Sequence, residues 1–187
     1  MSDKYVFGYG SLVNCATHSY EPASVASLAG WQREWRHVEG RTVAFLTISQ
    51  RLDAKIDGLV TRVPDDDWEA LDVREHSYDR TAASDLEHAL PNGADIQFYH
   101  APADKHAAAS EPHPILLSYL DVVVQGFLEH FGEAGVARFF ATTSGWDAPL
   151  FDDRLNPVYT RAQRLGPNET ALVDHHVAAL PLKRMSA

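Results

Sequence analysis

Apolar and polar positions follow a strand-like rhythm in the first half of the chain and a helical one in the second. Residues 6–9, Val-Phe-Gly-Tyr, predict a short strand close to the start of the chain. Residues 33–38 and 42–48 predict two further strands around a turn at Glu39-Gly40. Residues 56–63 alternate and stop at Pro64. Pro64 followed by Asp65, Asp66 and Asp67 predicts a helix start, because acidic side chains are favoured at the positive end of the helix dipole. Trp68, Leu71 and Val73 give that helix an inner side, and it frays near Glu75. Short strands follow at 78–83 and 96–99, with a turn at Pro91-Asn92-Gly93 between them.

The period changes after a soft stretch at 101–114. Leu116, Leu117, Leu120, Val123, Val124, Phe127, Leu128 and Phe131 recur at helical spacing, and a second helix follows with Val136, Phe139 and Phe140 on one side. Residues 146–165 read as a loop carrying Pro149, Asp152, Asp153, Asn156 and Pro157. An early strand-rich half with helices added later is an α+β pattern, not a regular βαβ alternation. The 187 residues are expected to form one domain over 1–187, with 145–187 a C-terminal extension whose role the sequence leaves open.

Charge and composition narrow the function. The formal net charge of −10, with no basic run against it, opposes nucleic acid and anionic membranes as partners. No apolar stretch approaches the ~20 residues needed to span a bilayer. Residues 1–4 have no signal-peptide character, and the single cysteine, Cys15, excludes an internal disulfide. A cytoplasmic protein is the expectation; the sequence leaves its oligomeric state open.

The segment Val6-Phe7-Gly8-Tyr9-Gly10-Ser11-Leu12 is the first candidate site. Gly8 and Gly10 permit positive φ and close approach to a ligand, and successive N–H groups in such a turn can form an anion-binding nest. A tight turn after an edge strand is the plainer reading. A dinucleotide fingerprint is disfavoured, since Val13 stands where the third glycine belongs and no βαβ unit surrounds it. Glu75, at the expected helix end, is the second candidate, against the plainer reading of a solvated helix terminus.

Other constellations carry less. None of the ten histidines has a recognised metal-ligand spacing, and His175-His176, read as a strand, would point to opposite faces. No metal or cofactor is expected. Cys15 lacks an identifiable base and reads as a small filler. Ser11 lacks a nucleophile elbow. Trp31, Trp35, Trp68 and Trp146 read as core or rim anchors. Tyr119 is within reach of the site, with core packing as its plainer role. Asp152-Asp153-Arg154 and Tyr159-Thr160-Arg161 either cap a pocket or form a salt-bridged surface loop.

Phe7-Gly8-Tyr9-Gly10-Ser11-Leu12 together with Glu75 resembles the gamma-glutamylcyclotransferase superfamily over roughly residues 5–130. The resemblance implies a small mixed β-barrel with peripheral helices. It implies that residues 6–12 hold the glutamyl part of a small γ-glutamyl substrate, an amine or amino acid derivative, and that Glu75 is the acid/base. The reaction would be intramolecular: the glutamyl α-amine attacks its own γ-carbonyl, giving 5-oxoproline and a released amine. Tethering supplies the nucleophile, so positioning and one carboxylate acting first as base and then as acid suffice. That carboxylate works best with its pKa raised by burial, and Arg74 and Arg80 are therefore expected to point away from it or to pair elsewhere. Two features depart from the ChaC-like, glutathione-acting branch: His76-Ser77 lengthens the segment after Glu75, and Arg36-His37-Val38-Glu39-Gly40-Arg41 replaces its Asp-His-Arg-Gly stretch. A binding module that keeps the pocket without catalysis, and an interaction domain with no ligand, are the alternatives from other classes.

Overall fold

Two long antiparallel strands, β2 (Ala23–His37) and β3 (Ala44–Arg62), form the backbone of the architecture. The structure is a computed structural model and describes residues 3–38, 40–76, 78–91, 93–102 and 113–186. β1 (Lys4–Gly8) lies antiparallel to β3, with Phe7 opposite Val60 and Gly8 opposite Leu59. On its other edge β1 runs parallel to β6 (Asp95–His100). With β4 (Asp79–Ala82) and β5 (Leu86–Glu87) the strands make one sheet in the order β4-β6-β1-β3-β2-β5. This mixed sheet curls into a half barrel with helices outside it, an α+β fold. A second sheet of three short parallel strands joins β7 (Ile115–Leu116), β8 (Leu150–Asp152) and β9 (Arg184–Ser186).

Several elements differ from the sequence expectation. Residues 42–48 and 56–63 belong to one strand, β3. Its middle, from Gln50 to Asp53, is exposed, so no alternation marks it as strand; β2 pairs on either side of it, with Gln50 opposite Trp31 and Lys55 opposite Ala29, and the register shifts between them. β2 starts at Ala23 rather than at 33. The first helix, α1 (Trp68–Arg74), begins later than Pro64: the residues Pro64–Asp66 form a 3₁₀ turn, and Asp67 caps α1 by accepting from Glu69 N at 2.9 Å and Ala70 N at 3.3 Å. Trp68 and Leu71 point inward, whereas Val73 is 70% exposed.

The helix α2 (Leu117–Thr142) contains both expected helices, separated at Gly132, where φ is 64°. A third helix, α3 (Pro167–Ala178), was not expected. Only Val173 and Val177 are buried on it, too sparse a stripe to announce a helix. His175 and His176 lie on α3, not on a strand, and His176 stacks on Phe140 at 4.6 Å. Glu39 and Asn92, in two expected turns, and most of the soft stretch fall outside the described residues.

The core has three parts. One surrounds α2 and includes Trp35, Phe127, Phe139, Trp146, Val173 and Val177. A second fills the curl of the sheet with Phe7, Ile48 and Phe98. A third joins β1 to α1 through Val6, Leu12, Val63, Trp68 and Leu71. Among the described residues no helix is long and apolar enough to cross a membrane.

Candidate active site

β1 ends at Gly8, and the chain turns through Gly10 into a 3₁₀ turn at Ser11–Val13. Val13 N donates to Gly10 O at 3.0 Å, and Asn14 N donates to Ser11 O at 3.1 Å. Asn14 then pins the loop to α2 by donating from Nδ2 to Val122 O at 2.9 Å. Neither Gly8 nor Gly10 takes positive φ, contrary to expectation; Gly10 sits at φ −125°, ψ −126°. Their requirement for glycine is steric. A Cβ on Gly8 would lie 2.4 Å from Leu12 Cβ, and one on Gly10 would lie 2.7 Å from Tyr119 Oη.

Beneath the loop lies a buried cation. Arg33, 1% exposed, donates from Nε to Tyr9 O at 2.9 Å and from Nη2 to Asp57 O. Its guanidinium lies 4.8 Å from the Phe127 ring centroid and 5.4 Å from that of Phe139. Burial pulls its pKa down to about 9, which leaves it charged at neutral pH. The Tyr9 peptide is thus held from below by a charge that sequence reasoning missed. The available signal was an arginine between Trp31 and Trp35 on an apolar strand.

Glu75 closes α1: its N–H donates to Leu71 O at 2.9 Å. Its side chain, 20% exposed, turns into a cleft of ≈ 390 Å³ walled by Phe7 through Leu12. Leu46, Tyr78, Tyr99 and Tyr119 complete the wall. The structure therefore brings together Glu75 and six of the seven expected loop residues. Val6 is the exception: its fully buried side chain packs in the cluster between β1 and α1, on the side away from the cleft, as period-2 alternation after Phe7 requires.

The tyrosines are fixed. Tyr9 donates to Tyr99 O at 2.6 Å, Tyr78 to Leu46 O at 3.1 Å, and Tyr99 to Asp72 Oδ1 at 2.6 Å. Burial raises the pKa of Tyr9, Tyr78, Tyr99 and Tyr119, so all four stay protonated and none competes with Glu75 as a base.

Burial also raises the pKa of Glu75, and it outweighs the opposing pull of Arg74 and then Arg161. Arg74 does not point away as expected. Its Nε lies 3.0 Å from Glu75 Oε1, yet the N–H is not aimed at that oxygen, so the contact is electrostatic rather than a hydrogen bond. Arg80 does pair elsewhere, with Asp72 at 2.9 Å.

The remaining candidates separate cleanly. Cys15 has a neighbour that the sequence did not reveal, His130 Nε2 at 3.6 Å from Sγ. Burial, with Glu129 and Glu21 adding to it, raises the thiol pKa, the opposite of activation. Among the described residues no three His, Cys, Asp or Glu side chains cluster to hold a metal. Asp153 caps α2 by accepting from Ser118 N at 2.8 Å, while Arg154 pairs with Asp121 and Asp174, each at 2.7 Å. That part is the salt-bridged loop. Tyr159 and Arg161, a few residues on, do reach the cleft, where it widens outward past Glu75.

No protein-family model matches the sequence, and no curated protein matches it. Solved structures do match the fold. Protein loc79017 from Homo sapiens is 17% identical with a TM-score of 0.59, covering 93% of this chain and 99% of that one. A gamma-glutamyl cyclotransferase is 17% identical with a TM-score of 0.57 over the same shares of each chain. YkqA from Bacillus subtilis is 16% identical with a TM-score of 0.55; the match covers 97% of this chain and 56% of YkqA. The chain has the gamma-glutamyl cyclotransferase fold.

Proposed function

We propose that this protein is a cyclotransferase that converts a γ-glutamyl amide to 5-oxoproline and a free amine. One observation carries the reading: Glu75 and the loop from Gly8 to Leu12, distant in sequence, wall the same cleft, and burial raises the pKa of that carboxylate.

In this reading the glutamyl chain folds so that its α-nitrogen faces its own γ-carbon. Glu75 takes a proton from the α-ammonium. The nitrogen forms a bond to the γ-carbon, the old amide C–N bond breaks as Glu75 returns the proton to the departing nitrogen, and the second proton of the ring nitrogen passes through the same carboxylate to the released amine, which leaves as an ammonium. A carboxylate with a raised pKa is a stronger base than an ordinary one and a better-matched acid for the second step. The loop N–H groups hold the α-carboxylate or the developing oxyanion, and the tyrosine rings exclude water around the reacting carbon. The whole chain is taken as one unit, with 145–187 supplying Tyr159 and Arg161 to the outer wall. The single cysteine supports a reducing compartment, the cytoplasm, as its location.

The Arg74 contact favours a second reading, a binding module. An arginine beside the carboxylate favours its ionised form and weakens it as a base. The purified protein incubated with a panel of γ-glutamyl compounds, with 5-oxoproline measured by mass spectrometry, separates the two. Release of 5-oxoproline supports the enzyme; binding of the same compounds by calorimetry without release supports the module.

A further inference from the structure

Residues 155–161 bring Tyr159 and Arg161 to the outer part of the cleft without a helix or strand of their own. All of them are exposed except Tyr159, which is half-buried. On the other side of the segment, Leu155 and Pro157 line a second hollow together with Asp121 and Thr170. The segment thus has space on two sides and little apolar burial, the character of a stretch of low local stability. Hydrogen bonds must therefore set where it lies.

Among the described residues, two backbone amides make that attachment. Val158 N donates to Asp153 Oδ2 at 2.9 Å, and Tyr159 N donates to Ser118 Oγ at 3.4 Å. Both acceptors belong to one buried pair, Asp153 at 2% exposure and Ser118 at 4%. Ser118 Oγ donates to Asp153 Oδ2 at 2.6 Å, and Ser118 N donates to Asp153 Oδ1 at 2.8 Å. The one carboxylate therefore does two things. It caps α2, whose N-cap residue Leu116 supplies no side-chain cap, and it seats the segment on that helix end.

Tyr119 is the next residue along α2. Its ring stands between two others, Trp35 edge-on at 5.9 Å and Tyr159 edge-on at 5.0 Å. Trp35 is fixed in the core, so the flank that the segment supplies is the adjustable one. The Tyr119 hydroxyl lies over Gly10. Contacts run unbroken from Asp153 through Ser118 and Tyr159 to Tyr119, and from there to the loop that shares the cleft with Glu75.

We propose that Asp153 is a positioning residue of the site: by seating residues 155–161 on the end of α2 it holds Tyr159 against Tyr119, and Tyr119 over the loop. Its effect on turnover rests on the cyclotransferase reading; the seat itself does not. The donor count makes the carboxylate specific. Ser118 N approaches one of its oxygens, while Ser118 Oγ and Val158 N share the other. An asparagine has one carbonyl oxygen, so either Ser118 N or Val158 N would face an amide NH2 in a buried place. Losing the Val158 bond frees the segment, and Tyr119 keeps only its Trp35 flank.

The test is a double-mutant cycle read in kcat and KM of the folded protein. Asp153→Asn is expected to lower kcat by about 10–100-fold, the scale of a small misplacement in a reacting site. Tyr159→Ala is expected to lose a similar amount, and Tyr159→Phe, which keeps the ring, to restore most of it. Asp153→Asn combined with Tyr159→Ala is expected to lose little more than either alone, because both break one chain of contacts. Val173→Ala, a core change on α3, is expected to lower Tm without that loss in kcat. Losses that multiply in the double variant, or an unchanged kcat in Asp153→Asn, would overturn the positioning role. Should Asp153→Asn fail to fold, Ser118→Ala carries the same expectation, since it removes Oγ and keeps the N–H that Asp153 caps.

Amide exchange reads the seat without a substrate. In Asp153→Asn or Ser118→Ala, Val158 and Tyr159 are expected to exchange faster, and with them Val13, whose N–H donates to Gly10 O in the loop. Faster exchange at all three in a protein that releases no 5-oxoproline supports the seat, and it is then the cyclotransferase reading that fails. Faster exchange confined to Val158 and Tyr159 overturns the reach to the loop. Unchanged exchange at those two rejects the seat whatever the turnover.

Discussion

The Tyr119 hydroxyl closes over Gly10 so tightly that a Cβ there would approach Oη to 2.7 Å, whereas a Cβ on Gly8 would meet Leu12 Cβ at 2.4 Å. The two clashes differ in kind. Tyr119 Oη is the far end of a side chain that can swing; Leu12 Cβ is tied to the backbone. Gly10→Ala is therefore expected to fold with little loss of stability but to displace Tyr119 in the cleft and lower turnover by about 10–100-fold. Gly8→Ala is expected to lose about 1–3 kcal/mol by overpacking, a fall of roughly 2–4 °C in Tm per kcal/mol for a chain of this size. Thermal unfolding of both variants, alongside 5-oxoproline release, checks the contrast. An equal loss of stability would contradict it.

Glu75→Gln keeps the size and hydrogen bonding of the side chain and removes the proton acceptor. Turnover is expected to fall by at least ~100-fold while ligand binding is kept. The four tyrosines of the cleft cannot substitute, because burial keeps them protonated. Near-normal release of 5-oxoproline by the variant would assign the proton transfer elsewhere.

The same carboxylate links stability to pH. Burial raises its folded-state pKa above the unfolded value, about 4.3 for a free glutamate. The folded protein therefore holds the proton more tightly. The associated stability is present below the unfolded pKa and is lost as pH rises through the folded one. Arg74 and Arg161 reduce this effect without reversing it, since burial is the larger cause. Glu75→Gln, neutral at every pH, is expected to melt above the native protein at neutral pH and to converge with it in acid. The acidic limb of kcat/KM is likewise expected above the ordinary glutamate range. Melting curves across the pH range check the first, and initial rates the second.

Arg33 tests how the loop is held. Arg33→Met removes a buried charge, which is favourable, but strands the carbonyls of Tyr9 and Asp57, at about 1–3 kcal/mol each. A net loss of stability is expected, with a rise in KM beyond what unfolding explains. Arg33→Lys keeps the charge without the planar fork and is expected to fall between. Melting temperature and KM measured together distinguish positioning from bulk destabilisation, because destabilisation alone leaves the KM of the folded fraction unchanged.

Cys15→Ser is the control. Its thiol pKa is raised and its His130 neighbour is a partner for packing, not activation. Turnover is expected to be unchanged and stability to shift by no more than about 0.5 kcal/mol. Abolished turnover would point to a thiol nucleophile with His130 as its base.

Local pattern by itself determined β1, the turn after it, the helix ending at Glu75 and the long apolar helix, because each is a matter of short-range periodicity and capping. It also marked the two segments that meet in the cleft. It did not reveal that residues 44–62 are one strand, since the exposed middle of β3 buries nothing and so leaves no alternation to read. Nor did it reveal the Arg33 support, the places of Tyr78 and Tyr99 beside Tyr119 in the cleft wall, or the contact of Arg74 with its own neighbour Glu75. Those depend on which strands pair and in what register: β1 between β3 and β6 brings Tyr9 to Tyr99, and α2 packed on the loop brings Tyr119 over Gly10. Residue type and spacing set what each side chain can do. Only long-range packing decides which charges lose their water and which lie together, and that desolvation makes Glu75 a candidate base.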